Sequence, residues 1–278
     1  MIINIIFAVL SFAVTGIIYY FTGMYQHWGF YFLVIPILIV SYFIVLLLYM
    51  TFLYLFSLIL KSTKAKTRPR KFYYGIIKET TYALLILARV KLKRYNTELI
   101  PKGKEKFLII TNHQSKFDPM VVFRTFKQSP IACITKPENL DIPIAGGWIK
   151  YAGFIPINRE NNFEAVKSIS LASKYIKEGK ATICVYPEGT RNFNGGVKDF
   201  HAGTFKIATK ANCPIVICST YNTKSIKTNF PKHRTRVEFK ILKVLYPEDY
   251  KDMTTQDIAE YAHNLIETEI LAKENANN

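Results

Sequence analysis

The chain has 278 residues, room for one globular domain of ordinary size plus membrane segments. Its 37 Lys and Arg exceed its 20 Asp and Glu, giving a formal net charge of +17, yet none of these charges falls within residues 1–60. That division excludes a uniformly water-soluble protein, and in the absence of a recognisable nucleic-acid-binding module the basic excess points to an anionic membrane surface rather than to nucleic acid.

A membrane-spanning helix needs about 20 mostly apolar residues. Two such segments precede residue 61: Ile2 to Phe21, interrupted by Asn4, Ser11 and Gly16, and Tyr31 to Leu60, long enough to tilt. Residues 22–29 between them hold turn formers and interface aromatics, as a hairpin loop does. A cleaved signal peptide fits poorly, because there is no basic leader and Tyr19-Tyr20-Phe21 is not a small-residue cleavage site. A re-entrant hairpin, entering and leaving one leaflet, is compatible with the same hydropathy. Residues 61–71 carry six cations and no anion, whereas 22–29 carries no charge. The positive-inside rule therefore places residue 61 onward in the cytoplasm, and an even number of spans puts the N-terminus there too.

Residues 72–94 are amphipathic and rich in aromatics, with an uncharged centre from Thr80 to Ala88 flanked by basic residues. An interfacial helix follows from that pattern; an ordinary packed helix of the domain would show it as well. From about residue 95, short apolar runs alternate with helical periods. Strands are expected at Phe107–Thr111, Ile131–Ile134, Phe154–Ile157, Ala181–Tyr186, Pro214–Thr220 and Arg236–Leu245. Helices are expected at Pro119–Lys127, Phe163–Glu178, Gly203–Asn212 and Thr255–Lys273, with Gly179 stopping the second and a Thr254/Asp257 capping box starting the last. The fold class is α/β: a single sheet flanked by helices, its last strand and helix adding an antiparallel edge. The chain thus divides into membrane helices (1–60), a basic linker with an interfacial helix (61–94) and an α/β domain (95–278). Cys133, Cys184, Cys213 and Cys218 sit in apolar surroundings without a Cys-x-x-Cys pair and read as reduced core residues.

The strongest chemical signal is Asn112-His113-Gln114-Ser115-Lys116-Phe117-Asp118-Pro119, directly after an apolar strand. Asp118 before Pro119 suits a helix N-cap with proline at the first helical position. On a regular helix a spacing of five would turn His113 and Asp118 about 140° apart, so a strand-to-helix loop is what lets them meet. A histidine oriented by a carboxylate is a general base; taken alone, the pair is equally a turn histidine with a capping aspartate. No Gly-x-Ser-x-Gly elbow is present, so the nucleophile can be a substrate hydroxyl. The second signal, Val185-Tyr186-Pro187-Glu188-Gly189-Thr190-Arg191, ends another apolar strand, where α/β sites gather. Gly189 permits close backbone approach and Arg191 offers a planar fork for phosphate. Gly153 to Arg159 likewise ends in an arginine, and Cys213-Pro214 opens a buried strand.

In this order the four segments resemble the glycerolipid acyltransferase family, in particular its 1-acylglycerol-3-phosphate acyltransferase branch. The resemblance covers about residues 95–245 and rests most on Asn112-His113 with Asp118 and on Tyr186 to Asn192. Pro156, Tyr186, Asn192, Ala202 and Ile217 depart from the family's usual residues. The resemblance implies that His113 deprotonates the acceptor hydroxyl with Asp118 supporting the imidazole. It implies that Arg159 and Arg191 hold the acceptor phosphate, while Glu188, Gly189 and Thr190 shape the site. The hydroxyl attacks an acyl thioester directly, so no metal or cofactor is expected. The expected donor is acyl-carrier protein or acyl-CoA, the acceptor lysophosphatidic acid, the product phosphatidic acid, and the location the cell membrane, with membrane lipids as partners. Glycerol 3-phosphate, a lyso-phospholipid or a lyso-ornithine lipid is an alternative acceptor. A lipid-binding membrane protein without catalysis is the alternative class.

Overall fold

The computed structural model describes residues 2–62, 69–126, 130–158 and 160–276. Residues 63–68 of the basic run and Arg159 lie outside the described residues. In chain order the helices and strands are α1 (Ile2–Phe21), α2 (Val34–Ser62), α3 (Lys71–Leu87), β1 (Val90–Tyr95), β2 (Leu108–Thr111), α4 (Asp118–Thr125), β3 (Ile131–Thr135), α5 (Ala145–Tyr151), β4 (Ile155–Pro156), α6 (Asn162–Lys177), β5 (Thr182–Val185), α7 (Lys206–Ala211), β6 (Ile215–Tyr221), α8 (Ile226–Asn229), β7 (Thr235–Leu245), α9 (Pro247–Tyr250) and α10 (Thr255–Asn275). The chain forms two compact units, one of Met1–Ala65 with Asp141–Trp148, the other of Lys66–Leu140 with Ile149–Asn278.

In the first unit, α1 and the segment from Trp28 through α2 are each long and apolar enough to cross a membrane. They pack against each other antiparallel. Phe7 meets Tyr49 edge-on at 5.1 Å between ring centroids, and Thr15 lies 3.4 Å from Ser41 across the pair. Ser11 and Thr15 return their hydroxyls to the carbonyls of Phe7 and Ser11, four residues back. Such bonds satisfy polar side chains where water is absent.

The second unit is built on a seven-stranded sheet in the order β1-β7-β6-β2-β5-β3-β4. Strands β6, β2, β5, β3 and β4 run parallel, and their near-continuous apolar sequences reflect burial on both faces. On one face α6, α7 and α10 cover Leu108, Ile110, Ile183, Val185, Ile215 and Ile217. On the other, Phe126 at the end of α4 packs against Phe107 and Phe239, while Tyr74 of α3 meets Phe123 of α4. Helix α10 begins with the expected reciprocal Thr254/Asp257 bonds, and Gly179, at φ +64°, ends α6.

Two expectations are corrected. The segment 72–94 is not one helix: α3 stops at Leu87, and Val90–Tyr95 is a strand pairing with β7 in parallel. The last strand, β7, is antiparallel to β6 as expected, but it is not the edge, because β1 lies outside it. In the second unit Lys240 of β7 bonds Glu269 of α10 at 2.7 Å. All four cysteines are free and buried.

Candidate active site

β2 and β5 are neighbours, yet their outgoing connections leave to opposite faces, through α4 on one and α7 on the other. An open α/β sheet forms a crevice at such a switch point, outside the carboxyl ends of its strands. The Asn112–Asp118 loop leaves β2 there, and the Tyr186–Asn192 loop leaves β5 beside it.

Asn112 fixes the first loop. Its amide nitrogen donates to the Thr220 carbonyl at 2.9 Å, and its carbonyl accepts from the Thr220 N–H at 2.8 Å. One side chain thereby extends the β2–β6 ladder past the last paired residue. His113 follows, with its Nδ1 2.6 Å from Asp118 Oδ2. The same oxygen accepts the N–H groups of Gln114 at 2.7 Å and Ser115 at 2.8 Å, while Oδ1 receives the Thr223 hydroxyl. Asp118 is fully buried, and the His113 side chain is 18% exposed, so the carboxylate is shielded while the imidazole reaches the crevice. With Nδ1–H given to the carboxylate, Nε2 carries the lone pair. This corrects the capping role expected of Asp118: Phe117 occupies the cap position, and the carboxylate turns back onto the loop instead of onto the helix.

The second loop is tied to the first through His113's own backbone. Its N–H donates to Glu188 Oε1 at 2.6 Å, and its carbonyl accepts from Asn192 N at 2.7 Å. Glu188 Oε2 accepts the Lys198 N–H at 3.1 Å. Burial pushes the Glu188 carboxyl above its ordinary value, and the two backbone bonds only partly offset this. Tyr186 stacks its ring on the imidazole, 4.3 Å between centroids at 26°. Its hydroxyl is buried and held far above the usual tyrosine range by desolvation. Burial likewise raises the thiol of Cys218, and that of Cys213 to about 12. A bond to Cys184 and burial raise Cys133. None of these three is a thiolate nucleophile at neutral pH.

His113 and Asp118 are thus in contact, and Glu188 braces the backbone beneath them. Gly189 follows with φ +75°, which a glycine adopts without strain. Thr190 is exposed, its hydroxyl 3.3 Å from Lys198 Nζ. Arg191 is half-buried, with its guanidinium 5.9 Å from the Phe193 ring centroid. Asn192 continues the loop by donating its amide to the carbonyls of Gly195 and Gly196. Sequence reasoning did not find Thr223 or the stacking role of Tyr186. Thr223 lies 105 residues from Asp118 in the chain and carries no local signal. Tyr186 was visible only as an aromatic before Pro187.

A buried carboxylate thus orients a histidine at the switch point of an α/β sheet. Residues 91–220 match the family model described as Acyltransferase. The chain belongs to this acyltransferase family. It is 30% identical over 176 residues to the 1-acyl-sn-glycerol-3-phosphate acyltransferase of Haemophilus influenzae, covering 62% of this chain and 72% of that one. It is 33% identical over 141 residues to the protein of the same name from Borreliella burgdorferi, covering 51% of this chain and 55% of that one; the match thus spans little more than half of that relative. The fold is similar to the crystal structure of the 1-acyl-sn-glycerophosphate (LPA) acyltransferase PlsC from Thermotoga maritima. The TM-score is 0.61 at 22% identity, over 82% of this chain and 89% of that one.

Proposed function

We propose that this protein transfers a fatty acyl group from an acyl thioester to the sn-2 hydroxyl of 1-acylglycerol 3-phosphate, forming phosphatidic acid at a membrane. The observation that carries this reading is the His113–Asp118 pair, bonded at 2.6 Å in the crevice of an acyltransferase-family sheet. His113 Nε2 takes the proton of the acceptor hydroxyl as its oxygen attacks the thioester carbonyl carbon. Asp118 supports the imidazolium that forms. The tetrahedral intermediate collapses, the C–S bond breaks, and the imidazolium returns the proton to the departing thiolate. The sequence holds no Gly-x-Ser-x-Gly elbow, in keeping with direct transfer.

Arg191, and with it Arg159, holds the acceptor phosphate; a guanidinium fork suits that geometry. Glu188 and Gly189 shape the loop that presents Arg191. Both acyl-CoA and acyl-carrier protein are anionic donors and suit a basic chain. The two apolar helices support a membrane location, and the cations that follow Leu60 support the cytoplasmic side for the α/β unit. The test is a vesicle assay of the purified full chain with labelled acyl-CoA and acyl-carrier protein. Its acceptor panel is 1-acylglycerol 3-phosphate, glycerol 3-phosphate and 1-acyl phospholipids. Labelled phosphatidic acid as the main product is the expected result; preferential labelling of another acceptor overturns the substrate assignment.

A further inference from the structure

The connection between β3 and β4 contains Ile142-Pro143-Ile144-Ala145-Gly146-Gly147-Trp148-Ile149, eight residues without a charge, flanked by Asp141 and Lys150. Its first seven residues belong to the compact unit of the two apolar helices. They dock on the C-terminal part of α2. Trp148 donates its indole N–H to the Leu53 carbonyl at 2.9 Å, and its ring stacks on Phe56 at 5.3 Å. The Gly147 N–H, near the start of α5, is 3.3 Å from Ser57 Oγ, its acceptor. The approach is as close as a backbone allows: a Cβ on Gly147 would stand 2.7 Å from the Ser57 carbonyl and 3.0 Å from Leu60 Cβ. Small residues permit this kind of packing between membrane helices.

The register of α1 against α2 shows where this contact lies. Thr15 opposite Ser41 and Phe7 opposite Tyr49 put Ile2 opposite Tyr54. α1 has 20 residues and is about 30 Å long, the thickness of a bilayer's hydrocarbon core. Residues 55–60 of α2 therefore overhang α1 by about 9 Å, the depth of a headgroup layer and its acyl boundary. On this overhang Leu55, Leu58 and Ile59 remain exposed, and Ile142 of the docked segment is 41% exposed. Water would face several large exposed apolar side chains there. Lipid would cover them, and the Ser57 and Leu53 bonds leave the docked Gly147 N–H and Trp148 indole satisfied at such a depth.

We infer that residues 142–148 are a third membrane element, an interfacial insertion that lies with the α2 overhang in the headgroup and upper acyl layer. The inference rests on reading α1 and α2 as membrane helices. It holds for a spanning or a re-entrant pair, because it concerns only the leaflet at the C-terminal end of α2.

The experiment labels single cysteines with the fluorophore NBD in the full chain, reconstituted in phosphatidylcholine/phosphatidylglycerol vesicles; the four native cysteines are buried. Ile142→Cys is compared with Leu48→Cys on the exposed face of α2 and Asp252→Cys on the α/β surface. Expected at 142 is quenching by shallow doxyl lipids and an iodide quenching constant at least about threefold below that at 252, as for an interfacial residue. Position 48 should be quenched by deep doxyl lipids. If 48 is quenched by lipid and 142 is as open to iodide as 252, the insertion is wrong and the membrane helices stand. If 48 is open to iodide, the membrane reading itself fails, and the insertion with it.

Discussion

Asp118→Asn separates charge from geometry at the site. Asp118 accepts four bonds, from His113 Nδ1, from the N–H groups of Gln114 and Ser115, and from the Thr223 hydroxyl. Three of the donors converge on Oδ2, so in the amide the oxygen must take that place. The NH2 then faces Thr223, whose hydroxyl can turn to accept. The loop and the Nδ1–H tautomer survive, and what is lost is the negative charge beside the imidazolium. Unit charges about 4 Å apart interact by about 4 kcal/mol at an effective dielectric constant of 20. Removing that support from the transition state costs about 10³-fold in kcat, with the acceptor KM little changed because neither substrate touches Asp118. Asp118→Ala is the poorer probe. It orphans at least two buried N–H groups at about 1–3 kcal/mol each, against a total stability of about 5–15 kcal/mol. The assay is thiol release from acyl-CoA by the vesicle-bound protein, with a thermal melt to show that Asp118→Asn is folded. A folded variant that loses less than about tenfold in kcat would refute the electrostatic role.

Three further outcomes follow from the same geometry. Arg191→Ala should raise the KM for the phosphorylated acceptor by about 10–10²-fold, the value of a charge-assisted bond of about 1.5–3 kcal/mol, and leave the donor KM nearly unchanged; equal effects on both argue against a phosphate contact. Tyr186→Phe, which keeps the stacked ring and removes a buried hydroxyl, should retain activity, whereas Tyr186→Ala should lower kcat by freeing the imidazole; similar rates for the two variants would remove the ring from the mechanism. Glu188 has a folded-state carboxyl raised by burial, so its contribution to stability is greatest below the ordinary glutamate value and is lost as pH rises through the raised one. The stability gap between wild type and Glu188→Gln, read from urea melts, should therefore narrow from about pH 4 towards neutrality. A gap that widens with pH contradicts the assigned direction.

Much of this site is local in the chain. His113 and Asp118 share one loop, and proline after Asp118 marked the strand-to-helix turn that brings them together. Glu188 and Arg191 follow a continuous apolar strand, so their place at a strand end was legible. What they touch was not: Glu188 reaches His113 across 75 residues and Thr223 reaches Asp118 across 105, and no periodicity encodes such partners. β1 was missed although Val90-Lys91-Leu92-Lys93 alternates with a strand's period. The preceding aromatic helix and the basic residues together imitate an interfacial helix, and β1 becomes a strand only by pairing with β7, 145 residues on. The docking of residues 141–148 on α2 was invisible for the same reason, since Gly146-Gly147 reads as a turn until its partner is known.

The most direct test of the account is the turnover of His113→Ala. The protein should remain folded and vesicle-bound, because the imidazole is partly exposed and Asp118 keeps its bonds from Gln114, Ser115 and Thr223. Loss of the general base should lower acyl transfer to 1-acylglycerol 3-phosphate by about 10²–10⁴-fold, with both substrates still bound. A folded His113→Ala variant that keeps more than about half of the wild-type rate would contradict general-base catalysis by this residue, and with it the mechanism.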